Sequence, residues 1–125
     1  MPSARYIFVP LLLASSPAWS DATAHIIVQR SSLAGFQYYE GRGVWEELKV
    51  GESLTLVRER DNPHDPDAVR LEWRGHTLGY VPRRENRHLA RQIDYGARPT
   101  ARITGLQKSR NGRNRVSYEI SVPLK

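Results

Sequence analysis

The stretch Asn62-Pro63-His64-Asp65-Pro66-Asp67 places an amide, an imidazole and two carboxylates within six residues. Four kinds of chemistry could use such a set. A calcium loop of the helix–loop–helix type needs oxygen ligands at alternating positions, a central glycine and a terminal glutamate. Counting from Asp61 puts Pro63 at the third position. Counting from Asp65, Asp67 fits, but Val69 does not and the glycine is missing. Zinc would need a second His or a Cys at paired spacing. His64 has no near partner, His76 and His88 are far along the chain, and cysteine is absent. Asp65 and Asp67 could form a carboxylate pair for acid–base work. A nucleophile elbow, a reactive thiol and a phosphate-cradling Gly-Lys-Ser/Thr loop are all missing, so the pair lacks companions. The third use is structural. Asn62 and Asp65 can bond backbone N–H groups two residues on, and Pro63 and Pro66 preset φ for a turn.

The fourth use is binding. Tyr38 and Tyr39 in "GFQYYEG", His64 and Asp65 with Asn62 beside them, Tyr80, and the Arg83-Arg84 pair are the side chains that a single-stranded nucleic acid asks for. Flat rings stack on bases, cations meet phosphates, and a carboxylate accepts a hydrogen bond from a sugar hydroxyl. Ordinary packing of the tyrosines, one buried and one exposed, stands beside this reading.

The elements that must carry these groups are mostly strands. His25 to Arg30 is β-branched and apolar. The glycine-dense "AGFQYYEGRG" predicts a loop bearing Phe36, Tyr38 and Tyr39, and "VWEELKVGES" predicts one helical turn closed by Gly51. Alternation over Ser53–Arg60, Ala68–Arg74 and His76–Pro82 predicts a three-stranded meander, with Val69, Leu71 and Trp73 on one face of its middle strand. From Arg83 to Gly96 the period changes to helical, with Asn86, Leu89, Ala90 and Ile93 on one face and Arg84, Arg87 and Arg91 on another. Two more strands follow around Asn111-Gly112, a strong hairpin signal. Short antiparallel strands in this number close up to remove their edges. The expected fold is mainly β: a small six-stranded antiparallel barrel with one α-helix covering an end.

The chain has 125 residues, enough for one domain. Its start has a basic Arg5, an apolar run from Tyr6 to Ala14, and Ala18-Trp19-Ser20 placed like a cleavage site. That three-part pattern predicts a signal peptide over 1–20, cut after Ser20 with Ala22 as a second option, ahead of a single domain over 21–125. The apolar run is too short for a membrane anchor. The expected location is periplasmic or secreted. Charge is uneven. Residues 21–82 carry seven Arg/Lys against ten Asp/Glu, net −3; residues 83–125 carry eleven against three, net +8. Nine of those eleven cations are arginine, the side chain suited to bidentate phosphate contacts. An anionic partner fits this half, as does a merely solvated basic face.

The motifs "GFQYYEG" (35–41), "LVRERDNPHDPDAVRLEW" (56–73), "LGYVPRREN" (78–86) and "HLARQID" (88–94) together resemble the HIRAN domain. The resemblance runs from His25 to Leu124. It implies a small barrel related to OB folds, and binding of single-stranded DNA, best attested at a free 3′ end. By motif position it implies that Tyr38 stacks on a base, that Asp65 accepts from the terminal hydroxyl, that Arg83 meets phosphate and that Tyr80 faces the same region. Two positions depart from the pattern. His64 stands where DNA-end binders often have tyrosine, and Gln37 where a well-known member has a basic residue.

The expected function is a monomeric, non-enzymatic nucleic-acid-binding module without cofactor or metal. An exported protein meets no chromosomal DNA end, so either the start is not a signal, or the ligand is extracellular nucleic acid, or the barrel serves a protein or anionic-surface partner. One alternative is a periplasmic module docking a protein or an anionic surface on Arg84, Arg87 and Arg91. Another, by family association alone, is a metal-dependent hydrolase of phosphorus-containing anhydrides.

Overall fold

The computed structural model describes residues 24–124, so the expected signal peptide over 1–20 lies outside the described residues. Six strands run β1 (His25–Ser32), β2 (Ser53–Glu59), β3 (Ala68–Trp73), β4 (His76–Tyr80), β5 (Thr100–Gln107) and β6 (Arg115–Pro123). They form one antiparallel sheet in the order β1-β6-β5-β2-β3-β4. The meander β2-β3-β4 is where alternation places it. Val69, Leu71 and Trp73 all face the core, and the turn between β3 and β4 has positive φ at both Arg74 and Gly75. That is the hairpin geometry that matches the twist of the flanking strands.

β2 is the corner of the sheet. Its first residues pair with β5, at Ser53–Arg102 and Leu54–Ala101, and its later ones with β3, from Thr55 to Glu59. The sheet therefore bends over a core that includes Phe36, Leu71, Leu78, Ile103, Tyr118 and Ile120. As an open ladder it is not the closed barrel that the sequence suggests. Its outermost strands meet at one bridge, just past the end of β1. There Ala34 N–H donates to Tyr80 O at 2.8 Å, and Tyr80 N–H donates to Ala34 O at 3.1 Å. Gly79 makes the approach possible, because a Cβ at that position would lie 2.6 Å from Ala34 O.

Two helices are present among the described residues rather than one. The helix Asn86–Asp94, entered through a 3₁₀ turn at Arg83–Glu85, buries Asn86, Leu89 and Ala90 as its period predicts. Gly96 follows with φ +102, and its N–H donates to Ile93 O. The second helix is the short Gly41–Val44, continued by a 3₁₀ turn at Trp45–Glu47, so the helical residues begin earlier than "VWEELKVGES" implies. Its first residue, Gly41, packs against Phe36, whose buried ring occupies the space a side chain at position 41 would need. The β5–β6 hairpin turns at Ser109–Gly112, as Asn-Gly predicts, but its strands part at Gln107 and Arg115, leaving a longer loop than a two-residue turn.

The helix is clamped at its far end. Arg58 donates from Nε and Nη2 to the two oxygens of Asp94, at 3.0 and 3.1 Å, and from Nη1 to Ala68 O. Arg60 Nε also reaches Asp94 Oδ1 at 3.0 Å. The hydrogen bonds from Arg58 and then Arg60 hold the Asp94 carboxyl below the usual carboxylate range.

Two measurements check this frame. Gly79→Ala forces Ala34 and Tyr80 apart and is expected to cost about 2 kcal/mol or more in urea unfolding. Asp94 has a depressed folded-state pKa, so its contribution is complete above the unfolded value and is lost as pH falls through the folded one. Below about pH 4, the thermal midpoint of Asp94→Asn is expected to fall less steeply with acid than that of the parent.

Candidate nucleic-acid interface

The bridge at Ala34 sets where the aromatics stand. Gly35 follows it with φ +76, and the chain turns through a 3₁₀ turn at Phe36–Tyr38 rather than an irregular loop. Phe36 goes into the core, so neither tyrosine is needed there. Tyr38 is 76% exposed and Tyr39 is 41% exposed. The Tyr39 ring rests against Tyr80 with centroids 5.5 Å apart, tilted at 55°.

Tyr80 continues the chain of contacts inward. Its hydroxyl donates to Glu59 Oε1 at 2.9 Å. Glu59 also accepts from Asn62 Nδ2 at 2.9 Å and from Arg70, which is shared with Glu72. Burial pushes the Glu59 carboxyl up, but the bonds from Asn62 and Tyr80 and the charge of Arg70 together bring it below its ordinary value. Burial, and then the bond to this carboxylate, push the Tyr80 phenol up. Near neutral pH Tyr80 is therefore a fixed donor, and its ring is held as a floor under Tyr39.

Asn62 connects this network to the proline loop. Its Oδ1 accepts from the backbone N–H groups of His64, at 2.8 Å, and Asp65, at 3.1 Å. Asp65 repeats the device, with Oδ1 accepting from Asp67 N–H at 3.0 Å. Its other oxygen accepts from Asn86 Nδ2 at 2.7 Å. Arg83 donates from Nη2 to His64 O at 2.6 Å, and its Nε lies 4.0 Å from Asp65 Oδ2. Asp65 is thus no idle acceptor: it ties the loop to the start of the helix. A carboxylate has about four lone-pair sites. Two are occupied, and its side chain is still 18% exposed, so capacity for a ligand hydroxyl remains.

Of the residues expected at the site, Tyr39, Tyr80, Asn62, His64, Asp65 and Arg83 lie along one run of contacts, and Tyr38 stands exposed on the turn that bears Tyr39. Arg84 does not join them. It points to a separate recess of about 570 Å³, shared with Phe36 and Gln37 of the aromatic turn and with Arg113 and Arg115 of the β5–β6 hairpin. On the exposed helix face, Arg84 has Glu85 at 3.7 Å and Arg87 has Asp67 at 3.8 Å. Among the described residues, no three His, Asp or Glu side chains gather where a metal ion could sit.

Glu59, Arg70 and Asn86 complete the site and are absent from the reading of the sequence as ligand-handling residues. Asn86 carried a signal: a polar residue on an apolar helix face, 2% exposed, requires a partner. Glu59 and Arg70 look like ordinary outward strand residues until β2 and β3 are in register.

Asp65→Ala would orphan the buried Asn86 amide and the Asp67 N–H. The expected loss is about 2 kcal/mol of stability, read by urea unfolding with no ligand present.

A family model described as the HIRAN domain matches residues 26–125. A Fanconi-associated nuclease 1 homolog from Oryza sativa subsp. japonica is 32% identical over 79 residues, which are 60% of this chain. The chain spans only 8% of that relative's length. Two crystal structures share the fold. A protein from Lactobacillus plantarum superposes with a TM-score of 0.65 at 24% identity, covering 79% of this chain and 98% of its own. The HIRAN domain of human HLTF gives 0.64 at 19% identity, covering 81% and 80%.

Proposed function

This chain belongs to the HIRAN domain family, a family of nucleic-acid-binding modules, and from that we propose that it binds single-stranded nucleic acid at a strand end and catalyses no reaction on it. One observation carries the reading. An exposed ring, Tyr38, stands on the turn whose neighbour Tyr39 is braced by Tyr80, and the same run of contacts leads to Asp65 and Arg83.

The roles follow from geometry. Tyr38 supplies a free face for a base, at little ordering cost because its turn is already held. Asp65 keeps acceptor capacity beside the Arg83 cation, a pairing that suits a hydroxyl next to a phosphate. His64 offers a smaller ring than tyrosine, which lowers the gain from stacking at that position. A metal-dependent hydrolase would need ligands that the described residues do not assemble. The nuclease name of the rice protein describes a chain of which this domain matches a small part.

Export belongs to the same proposal and is tested separately. Sequencing of the mature amino terminus from an exported fraction should start near Asp21, and an intact Met1 there would end that part of the reading.

Tyr38→Ala is the cleanest test of binding, since the side chain is exposed and no hydrogen bond of the described structure uses its hydroxyl. Fluorescence anisotropy should show a roughly 5- to 150-fold loss of affinity for oligothymidine, in line with ~1–3 kcal/mol per stacked base, and an unchanged melting temperature. Blocking the 3′ hydroxyl of the oligonucleotide should weaken binding to the parent protein. Equal affinity for free and blocked ends would remove end recognition and leave only general strand binding.

A further inference from the structure

The acids and bases of this chain are not distributed alike once it folds. Asp65, Asp67, Glu59 and Asp94 each lie against an arginine. The arginines of the β5–β6 hairpin do not share in this. Among the described residues, Arg110, Arg113 and Arg115 form no ion pair, and Lys108 has only the exposed Glu46 at 3.8 Å.

These cations surround two adjoining recesses. The first, of about 570 Å³, runs from the aromatic turn at Phe36 and Gln37, past Arg84, to Arg113 and Arg115. The second, of about 640 Å³, shares Arg113 and Arg115 and continues to Arg110 and Lys108. No carboxylate lines either one. The loop that bears them is internally braced. Asn114 Oδ1 accepts from Ser109 N–H at 2.9 Å, Asn111 Oδ1 accepts from Arg113 N–H at 3.0 Å, and Gly112, with φ +78, closes the turn onto Ser109 O. Guanidinium groups held on a braced loop without internal partners are free to neutralise phosphates, and each phosphate neutralised releases a counterion condensed on the nucleic acid, with a gain in entropy.

We propose that the β5–β6 hairpin is a phosphate-binding arm. A single strand whose end sits at Tyr38 and Asp65 passes Arg84 through the first recess, and its backbone lies along Arg113 and Arg115. This rests on the strand-end reading above and adds a direction and a minimum length to it. The arm follows the recess rather than the helix face because Arg113 and Arg115, which carry it, form no ion pair among the described residues and line recesses without a carboxylate. Arg87 on the helix face has Asp67 at 3.8 Å, and Arg84, with Glu85 at 3.7 Å, marks only the entrance. Contact is to phosphates, so the arm discriminates by length and charge and not by base.

The experiment compares the parent with Arg113→Gln/Arg115→Gln, using fluorescein-labelled oligothymidine of about ten nucleotides, a length within the site sizes of small single-strand-binding folds. An unlabelled trinucleotide serves as competitor. The decamer is expected to bind the double variant about tenfold more weakly at low salt, with the slope of log affinity against log salt reduced by about 1.4, roughly 0.7 for each lost phosphate contact. Competition by the trinucleotide, which covers only the strand end, should be unchanged. Arg113→Lys/Arg115→Lys should recover most of the decamer affinity, which separates charge from loop structure. Equal loss for decamer and trinucleotide, or no loss for either, would overturn the arm and leave the strand-end site standing. So would a length dependence that vanishes in Arg87→Gln/Arg91→Gln instead. A parent protein that binds no single strand at all would overturn both readings. In that event, phosphatidylglycerol vesicles that bind the parent and not the double variant would assign the hairpin to a lipid surface.

Discussion

The approach of Ala34 to Tyr80 is the contact on which the rest of this molecule depends. Among the described residues it is where the two outer edges of an open sheet meet, and it exists because residue 79 has no side chain. Two backbone hydrogen bonds there satisfy groups that an edge would leave bare. Their larger consequence is positional. Gly35 turns immediately after the bridge, Phe36 drops into the core, and Tyr38 and Tyr39 emerge beside Tyr80. The aromatic platform is thus positioned by the bridge between the two outer edges of the sheet.

From Tyr80 inward the site is held by polar groups that satisfy one another. Glu59 is a hub for a phenol, an amide and a guanidinium. A half-buried carboxylate in such a position is stable only with several donors, and each donor here belongs to a different segment. The hub therefore places a strand, a loop and a tyrosine at once. Asp65 does the same between the proline loop and the helix, through Asn86. A change at Asp65 disturbs this frame, whereas Tyr38, exposed and outside these hydrogen bonds, can be removed without touching it.

The charge map follows from this economy. Glu59, Asp65, Asp67 and Asp94 are drawn into the hub, the loop and the helix clamp against arginines, whereas Arg110, Arg113 and Arg115 form no ion pair among the described residues. The net charge of +6 does not spread evenly over the domain. Unpaired cations gather on the β5–β6 hairpin, which shares a recess with Arg84 and with Gln37 of the aromatic turn.

Much of the frame was legible because it obeys period. Alternation in "AVRLEW" requires one apolar face, and that face is buried at Val69, Leu71 and Trp73. The change to helical period after Pro82 is equally local, as are the Asn-Gly turn and the Asx bonds of "DNPHDPD". The sequence by itself therefore determined the strands, the main helix, the inner wiring of the proline loop and the family to which they belong. The bridge between the outer edges of the open sheet, the hub at Glu59, the partner of Asp65 and the separation of Arg84 from Arg83 were decided only by the tertiary structure. Each depends on residues some 20 to 50 positions apart, brought together by register and by the absence of a single Cβ, and no local pattern of residue types encodes such a distance.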